Sequence, residues 1–156
     1  LGLQIFYQDT DSMHIANNDI DVLSDKFKEK HGRDLIGKDM GQFHTDFEFK
    51  GCVNIYAKEC IFLGKKCYLD VLVGEDEKTG EIKQDYHVRM KGVPSSTVRY
   101  TADTYYNGDL VQLYKDLYNG ATVEFDLLEG GRRINFKHNK DLSVSSMSAF
   151  KRQLRF

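Results

Sequence analysis

The first apolar residues of the chain form two short runs around one polar interruption. Strand-forming residues occupy 5–7 and 13–15, and the stretch between them is polar and rich in aspartate, which is the composition of a tight turn. This pattern predicts a hairpin over about residues 3–16. Asp9 and Asp11 fall at its tip, and in extended backbone two residues at this spacing project from the same face.

Further elements follow from the spacing of apolar residues. Apolar residues with helical spacing predict a short helix near residues 20–31, capped by Asp19 or Asp21 and ended by Gly32. The stretches at residues 66–73 and 81–90 flank a polar turn at residues 77–80, which predicts that they form a long hairpin. Strands are predicted in four stretches: GQFHTDFEF (41–49), CVNIYAKECIFLG (52–64), KCYLDVLV (66–73) and EIKQDYHVRM (81–90).

Pro94, the only proline, interrupts this series of strands and marks the predicted boundary between two lobes. Beyond it, Ser95 or Ser96 is predicted to cap a helix. Asp109 is predicted to open a second helix, which has one apolar face and ends at residues 119–120. The remainder is predicted to form strands and loops. Because helices and strands are mixed without a regular alternation, the predicted class is α+β.

The composition suits one globular domain or two small lobes sharing a core, since the chain has 156 residues and 40% of them are apolar. Residues 1–87 carry 11 basic and 17 acidic side chains, whereas residues 88–156 carry 11 and 7. An acidic region followed by a basic one suggests a metal centre beside a polyanion track, and an ordinary solvated surface explains the charges equally well. Seven basic residues follow Gly131: Arg132, Arg133, Lys137, Lys140, Lys151, Arg152 and Arg155.

Cysteine use and hydropathy set the expected environment. Cys52, Cys60 and Cys67 lie in apolar stretches without a C-x2-C pair, which predicts reduced core thiols of an intracellular protein rather than zinc ligands. No apolar run approaches the roughly 18 residues of a membrane span, which predicts a soluble protein. The chain starts at Leu1 without an initiator methionine or a secretion signal, so we expect it to be part of a longer protein.

Asp9 and Asp11 are the strongest chemical signal, because two like charges held close together repel each other unless a cation lies beside them. A calcium EF-hand loop starting at Asp9 needs glycine and glutamate where the chain has His14 and Ile20. An aspartic protease loop needs glycine at the position of Asp11. A solvated acidic turn is the plain alternative, but strand formers flank the pair on both sides. The pattern therefore favours a Mg²⁺ site, since Mg²⁺ takes hard oxygen ligands.

Several motifs of the chain occur in the order found in one enzyme family. YQDTDS (7–12) resembles the Y-x-D-T-D-S motif that family B DNA polymerases carry on a hairpin of the palm domain. Lys66-Cys67-Tyr68 resembles the family's K-x-Y motif, which contacts the primer end, and VRMKGV (88–93) resembles the basic segment where the palm passes into the thumb. Residues 41–48 resemble a segment of the protein-primed polymerases of viruses and linear plasmids.

The resemblance covers roughly residues 1–95 and implies a fragment of a polymerase. It implies a palm-type antiparallel sheet carrying the hairpin over residues 1–94. For residues 95–156 it implies a small, mixed, basic thumb-like lobe, on the evidence of order and charge. The family's D-x-x-S-L-Y-P metal segment and its K-x3-N-S-x-Y-G nucleotide-binding helix do not occur in the sequence. We therefore expect half of an active site and no activity from the chain alone.

The resemblance implies DNA-directed DNA synthesis by a two-metal mechanism. Two Mg²⁺ ions, or Mn²⁺ in their place, activate the primer 3′-hydroxyl and stabilise the pyrophosphate leaving group. Asp11 is then a direct metal ligand, and Asp9 is the supporting catalytic carboxylate of the metal site. Nucleotide and primer contacts are implied for four further residues: Tyr7, Thr10, Lys66 and Tyr68.

The partners implied are primer–template DNA, deoxynucleoside triphosphates, a terminal priming protein and the remaining polymerase domains, without a membrane. The expected location is the cytoplasm or host DNA. A polymerase-derived module that holds duplex DNA and performs no chemistry is the rival hypothesis. DNA binding is expected of five basic residues: Lys91, Arg132, Arg133, Lys151 and Arg152.

Overall fold

The computed structural model describes residues 1–127 and 133–156. Three helices and antiparallel pairs of strands are mixed in this part of the chain, so the predicted α+β class is confirmed. The residues cluster into two compact units. The first unit comprises Leu1–Ala57 and Leu72–Asp85, and the second unit comprises Lys58–Val71 and Tyr86–Phe156.

The first unit begins with the predicted hairpin. Strand β1 (Ile5–Asp9) pairs antiparallel with β2 (Ser12–Ile15), and the register sets Asp9 opposite Ser12. Helix α1 (Asn17–His31) follows, and its N-cap is Ala16, so the predicted aspartate caps at positions 19 and 21 are wrong. They lie inside the helix because the chain becomes helical directly after β2. The predicted stop at Gly32 is confirmed, since this residue adopts a φ of 67° and its N–H donates to the Lys28 carbonyl at 2.8 Å.

The strand predicted for residues 41–49 is wrong. This stretch contains aromatic residues typical of strands, but its backbone forms only an isolated bridge between Ile36 and Phe43. The Phe43 N–H donates to the Leu35 carbonyl at 2.8 Å, and the ladder does not continue. Strand formation depends on a neighbouring strand with which to pair, and the sequence preference of this segment does not supply one.

Three long strands form the largest sheet, in the order β3-β4-β5: β3 (Cys52–Gly64), β4 (Cys67–Asp76) and β5 (Ile82–Met90). They confirm the predicted strands and the long hairpin over the last two. Asp76 closes the β4–β5 turn, because its side chain accepts the N–H groups of Lys78 and Thr79 at 2.9 and 3.0 Å and forms an ion pair with Lys83. Residues of all three strands occur in both compact units.

The second unit contains helices α2 (Ser95–Tyr105) and α3 (Leu110–Tyr118). The predicted serine cap of α2 is wrong, because Pro94 occupies the N-cap position and no side chain caps the helix. The predicted start of α3 is confirmed, since the Asp109 side chain accepts the N–H of Gln112 at 2.9 Å.

Both helices pack against the sheet residues of this unit in one core cluster. Tyr114 of α3 is 0% exposed, and its hydroxyl donates to the Arg89 carbonyl at 2.9 Å. Segments on both sides of Pro94 therefore share a core, and the assignment of residues 1–94 to a palm and 95–156 to a thumb stays a prediction. The core cluster comprises Ile61, Cys67, Leu69, Val88, Met90, Val93, Val98, Ala102, Leu110, Leu113, Tyr114, Leu117, Val123 and Phe125.

Two further strand pairs belong to the second unit. Strand β6 (Val123–Asp126) pairs antiparallel with β9 (Lys151–Leu154), and β7 (Arg133–His138) pairs antiparallel with β8 (Val144–Ala149). Among the described helices, none has both the length and the apolar character needed to cross a membrane.

Candidate functional site

The tip of the β1–β2 hairpin carries the predicted metal residues. Because Asp9 pairs with Ser12, Thr10 and Asp11 form a two-residue turn. Thr10 adopts a φ of 44°, which is unfavourable for a β-branched residue and costs on the order of 1–3 kcal/mol. Its hydroxyl donates to Asp9 Oδ1 at 3.3 Å, and the Ser12 hydroxyl donates to the Asp9 carbonyl at 3.1 Å. Both hydrogen bonds join residues close together in the sequence at this strained tip.

The prediction that the side chains of Asp9 and Asp11 project from the same face of a strand is wrong. It assumed extended backbone through both residues, whereas β1 ends at Asp9 and Asp11 lies in the turn. Asp11 is exposed and Asp9 is half-buried. The hairpin therefore presents the two carboxylates from its tip, with a single threonine between them.

An aromatic cluster of Tyr7, His14 and Phe47 supports this hairpin. Tyr7 and His14 are register partners, and their ring centroids lie 5.5 Å apart with the rings nearly perpendicular. The His14 ring contacts Phe47 with a centroid separation of 6.3 Å. Edge-to-face packing at these distances is favourable. Tyr7, for which the resemblance implies a nucleotide or primer contact, thus packs against His14 two residues before Asp9.

The hairpin carries two carboxylates, those of Asp9 and Asp11. Within residues 1–127 and 133–156, no group of three His, Cys, Asp or Glu side chains is arranged to hold a metal ion. Two carboxylates supply the hard oxygen atoms that Mg²⁺ prefers, but a two-metal site needs more of them.

Lys66 and Tyr68 lie in the second unit, whereas the aspartate hairpin lies in the first. Lys66 occupies the tight turn between β3 and β4 with a φ of 62°, and its side chain is exposed. Tyr68 is half-buried on β4, where its ring centroid lies 6.1 Å from that of Phe62 and 5.8 Å from that of His87. The backbone of Lys66 is therefore fixed by a turn, whereas the side chain of Tyr68 is held by ring packing.

One end of the three-stranded sheet gathers basic residues from distant parts of the sequence. The backbone N–H of Lys91 donates to the Sγ atom of Cys67 at 3.3 Å, which sets the residue after β5 beside the turn that holds Lys66. Arg152 Nη1 donates to the carbonyl of Gly92, the residue that follows Lys91, at 3.0 Å. Lys65 shares this turn with Lys66. We call the four basic residues at this end of the sheet the basic sheet end: Lys65, Lys66, Lys91 and Arg152.

The other predicted DNA-binding residues are placed differently. Lys151 forms ion pairs with Glu124 at 2.6 Å and Asp126 at 3.7 Å, and the hydrogen bond to Glu124 raises the pKa of Lys151. Its charge is already compensated by two carboxylates. Arg133 begins β7, where its backbone pairs with that of Ala149. Arg132 lies outside the described residues.

A polar cluster that sequence reasoning missed lies on neighbouring strands of the sheet. Asp70 is 0% exposed, and its Oδ2 atom lies 2.9 Å from Nδ1 of His87. The other carboxylate oxygen, Asp70 Oδ1, is buried without a hydrogen-bond partner among the described residues. The signal in the sequence is a lone aspartate inside an apolar strand, because a buried carboxylate needs partners.

The Cys60 thiol is not activated as a nucleophile. Burial, and next the negative charge of Asp70, raise the pKa of Cys60 to about 12. The thiolate is the reactive form of cysteine, and at neutral pH this thiol stays protonated. The Cys60, Asp70 and His87 side chains, here called the Asp70 cluster, therefore do not form a nucleophilic triad.

Comparison with known proteins adds no assignment. The sequence matches no protein-family model, and neither a curated protein nor a solved structure matches the chain. The features of this chain that bear on function are therefore the aspartate hairpin, the basic sheet end and the residues around Tyr68.

Proposed function

We propose that this chain is the palm and thumb part of a family B DNA polymerase of the protein-primed type, and that it contributes Asp9 and Asp11 to a two-metal site. The observation that carries the proposal is the fold of YQDTDS, which forms a tight hairpin with both aspartates at its tip. Carboxylates that hold catalytic metals must sit on a rigid element, and the aromatic cluster behind the tip supports such rigidity.

The two aspartates have distinct roles in this proposal. Asp11, exposed in the turn, is the metal ligand, and half-buried Asp9 is the second carboxylate, oriented by the Thr10 hydroxyl at 3.3 Å. Two Mg²⁺ ions, for which Mn²⁺ can substitute, supply activation of the primer 3′-hydroxyl and stabilisation of the leaving pyrophosphate when bound. The remaining carboxylates and the residues that grip the deoxynucleoside triphosphate belong to the rest of the polymerase.

The basic sheet end supports the proposal independently. Lysine and arginine side chains bind the sugar–phosphate backbone without reading its sequence, as a polymerase must. Lys66 directly precedes Cys67, whose Sγ atom accepts the Lys91 backbone N–H, and lies two residues from Tyr68. In the proposal Lys66 binds a primer phosphate and Tyr68 packs against the primer terminus, while Arg132, Arg133 and Lys151 extend the DNA track. A terminal priming protein is a further proposed partner.

A second candidate function is a polymerase-derived module that holds DNA and performs no chemistry. Two observations favour it: the described residues lack a third metal ligand beside the hairpin, and they include the basic sheet end. Primer extension separates the two candidates. The complete polypeptide in which this chain occurs should incorporate nucleotides, and the 156-residue chain alone should incorporate none.

The deciding variant is Asp11→Asn in the complete polypeptide. It should abolish synthesis because it removes a metal ligand, and Asp9→Asn should reduce synthesis severely. The matched control is Asp25→Asn, an exposed aspartate on α1. Wild-type synthesis by Asp11→Asn contradicts the enzyme proposal, and DNA binding without synthesis by the complete wild-type polypeptide favours the non-catalytic module.

A further inference from the structure

The part of the three-stranded sheet that belongs to the second unit has a polar and aromatic face opposite its core face. Side chains alternate between the two faces of a strand, so Cys60 and Phe62 share one face of β3, and Tyr68 and Asp70 share one face of β4. Ile61 lies between the first pair and Leu69 between the second, and both belong to the core cluster. His87 on β5 contacts this same row, because its ring meets Tyr68 and its Nδ1 atom meets Asp70.

Asp70 fixes the orientation of the His87 ring. Asp70 is 0% exposed, and a buried carboxylate needs a polar partner, which the Oδ2 atom finds in His87 Nδ1 at 2.9 Å. An imidazole that donates from Nδ1 to a buried carboxylate is held in one tautomer and one ring plane. The side chain of His87 is 18% exposed, so the ring also reaches the surface of this face.

The orientation of His87 in turn restricts Tyr68. The Tyr68 ring contacts Phe62 at a centroid separation of 6.1 Å and an interplanar angle of 54°. It contacts His87 at 5.8 Å and 58°. Two tilted ring contacts on one aromatic side chain limit the rotamers that it can adopt. The hydroxyl end of Tyr68 is therefore presented in a defined direction.

We infer that His87, oriented by Asp70, is a positioning residue that holds Tyr68 in the conformation that receives the primer terminus. The inference rests on the proposed polymerase function, in which Tyr68 packs against the primer. Neither residue takes part in the chemical step. Loss of His87 should therefore weaken the hold on the primer more than it slows nucleotide transfer.

The test measures the kcat and the apparent primer KM of the complete polypeptide in primer extension. His87→Ala removes the ring contact and should raise the primer KM on the order of 3- to 10-fold, with kcat within about twofold of wild type. His87→Phe keeps a ring beside Tyr68 and should restore much of the loss. Asp70→Ala should raise the primer KM in the same direction, and if it fails to fold, the two His87 variants decide.

A matched control is His31→Ala, which removes an imidazole that packs on Phe27 at a centroid separation of 4.6 Å instead of on Tyr68. A second readout needs no catalysis. In the 156-residue chain labelled with ¹³C-tyrosine, the ring resonances of Tyr68 should shift in His87→Ala and stay in place in His31→Ala.

Three results would overturn the inference. The first is an unchanged primer KM in His87→Ala, and the second is a fall in kcat as large as the change in KM, which indicates a general structural role. Unchanged Tyr68 resonances are the third. If Asp11→Asn is inactive in the same assays, the polymerase proposal survives any of these. If Asp11→Asn is fully active, the polymerase proposal fails and this inference fails with it.

Discussion

The basic sheet end gives a quantitative prediction for DNA binding. Each lysine or arginine that neutralises a phosphate releases counterions, so log K falls with log salt at a slope of about −0.9 per contact. If Lys65, Lys66, Lys91 and Arg152 each meet one phosphate, the slope is about −3.6, and affinity falls roughly 150-fold between 50 and 200 mM salt. Lys66→Ala should reduce the slope to about −2.7 and the loss to roughly 40-fold.

The assay is fluorescence anisotropy of a labelled duplex titrated with the chain at several salt concentrations. The matched control is Lys115→Ala, because Lys115 pairs with Glu59 at 3.4 Å and is not part of the basic sheet end. Its slope should equal that of wild type. Lys151→Ala should change the slope by less than the roughly 0.9 expected of one full phosphate contact, since Glu124 and Asp126 already compensate Lys151. A wild-type slope near zero, or equal slopes for Lys66→Ala and Lys115→Ala, would refute the reasoning.

Three stability predictions follow from the described contacts. Asp109→Ala removes the α3 cap and should cost about 1 kcal/mol, a fall in Tm of roughly 2–4 °C by calorimetry. Leu113→Ala empties a site that is 0% exposed and should cost about 2–5 kcal/mol in urea unfolding. Lys83 and the turn amides hold the pKa of Asp76 below its usual value, so its stabilisation is present above about pH 4 and is lost as pH falls. In a plot of Tm against pH, the fall in Tm at acid pH should therefore be smaller in Asp76→Asn than in wild type. An equally steep fall in both proteins would contradict this.

The sequence predicted several elements whose causes are local, although the side-chain caps predicted for α1 and α2 were wrong. Asp109 was identified as a helix cap because the residues that follow it have helical spacing, and the β1–β2 hairpin because its turn residues lie between strand formers. The strand predicted over residues 41–49 failed because pairing requires a partner strand, which no local pattern reveals. The same limit applies to Asp11, whose turn conformation broke the strand periodicity assumed for it.

The residues of the candidate site also differ in whether local sequence or tertiary structure reveals them. The motif residues Asp9, Asp11 and Lys66 were found from their order and composition alone. The contact between Asp70 and His87 joins residues 17 positions apart on different strands, and its existence depends on the register of the sheet. The proximity of Lys91 to the Lys66 turn likewise arises from a tertiary hydrogen bond to Cys67 Sγ.

The central claim, that the hairpin tip is the metal-binding part of this chain, is tested most directly by Mn²⁺ titration with paramagnetic broadening of NMR signals. Weak, water-rich binding is expected, because the described residues supply no third ligand beside the two aspartates. Signals of residues 7–14 should broaden first, Asp11→Asn should remove the effect, and Asp25→Asn should leave it unchanged. Broadening that spares residues 7–14 and appears elsewhere in the chain would contradict the account.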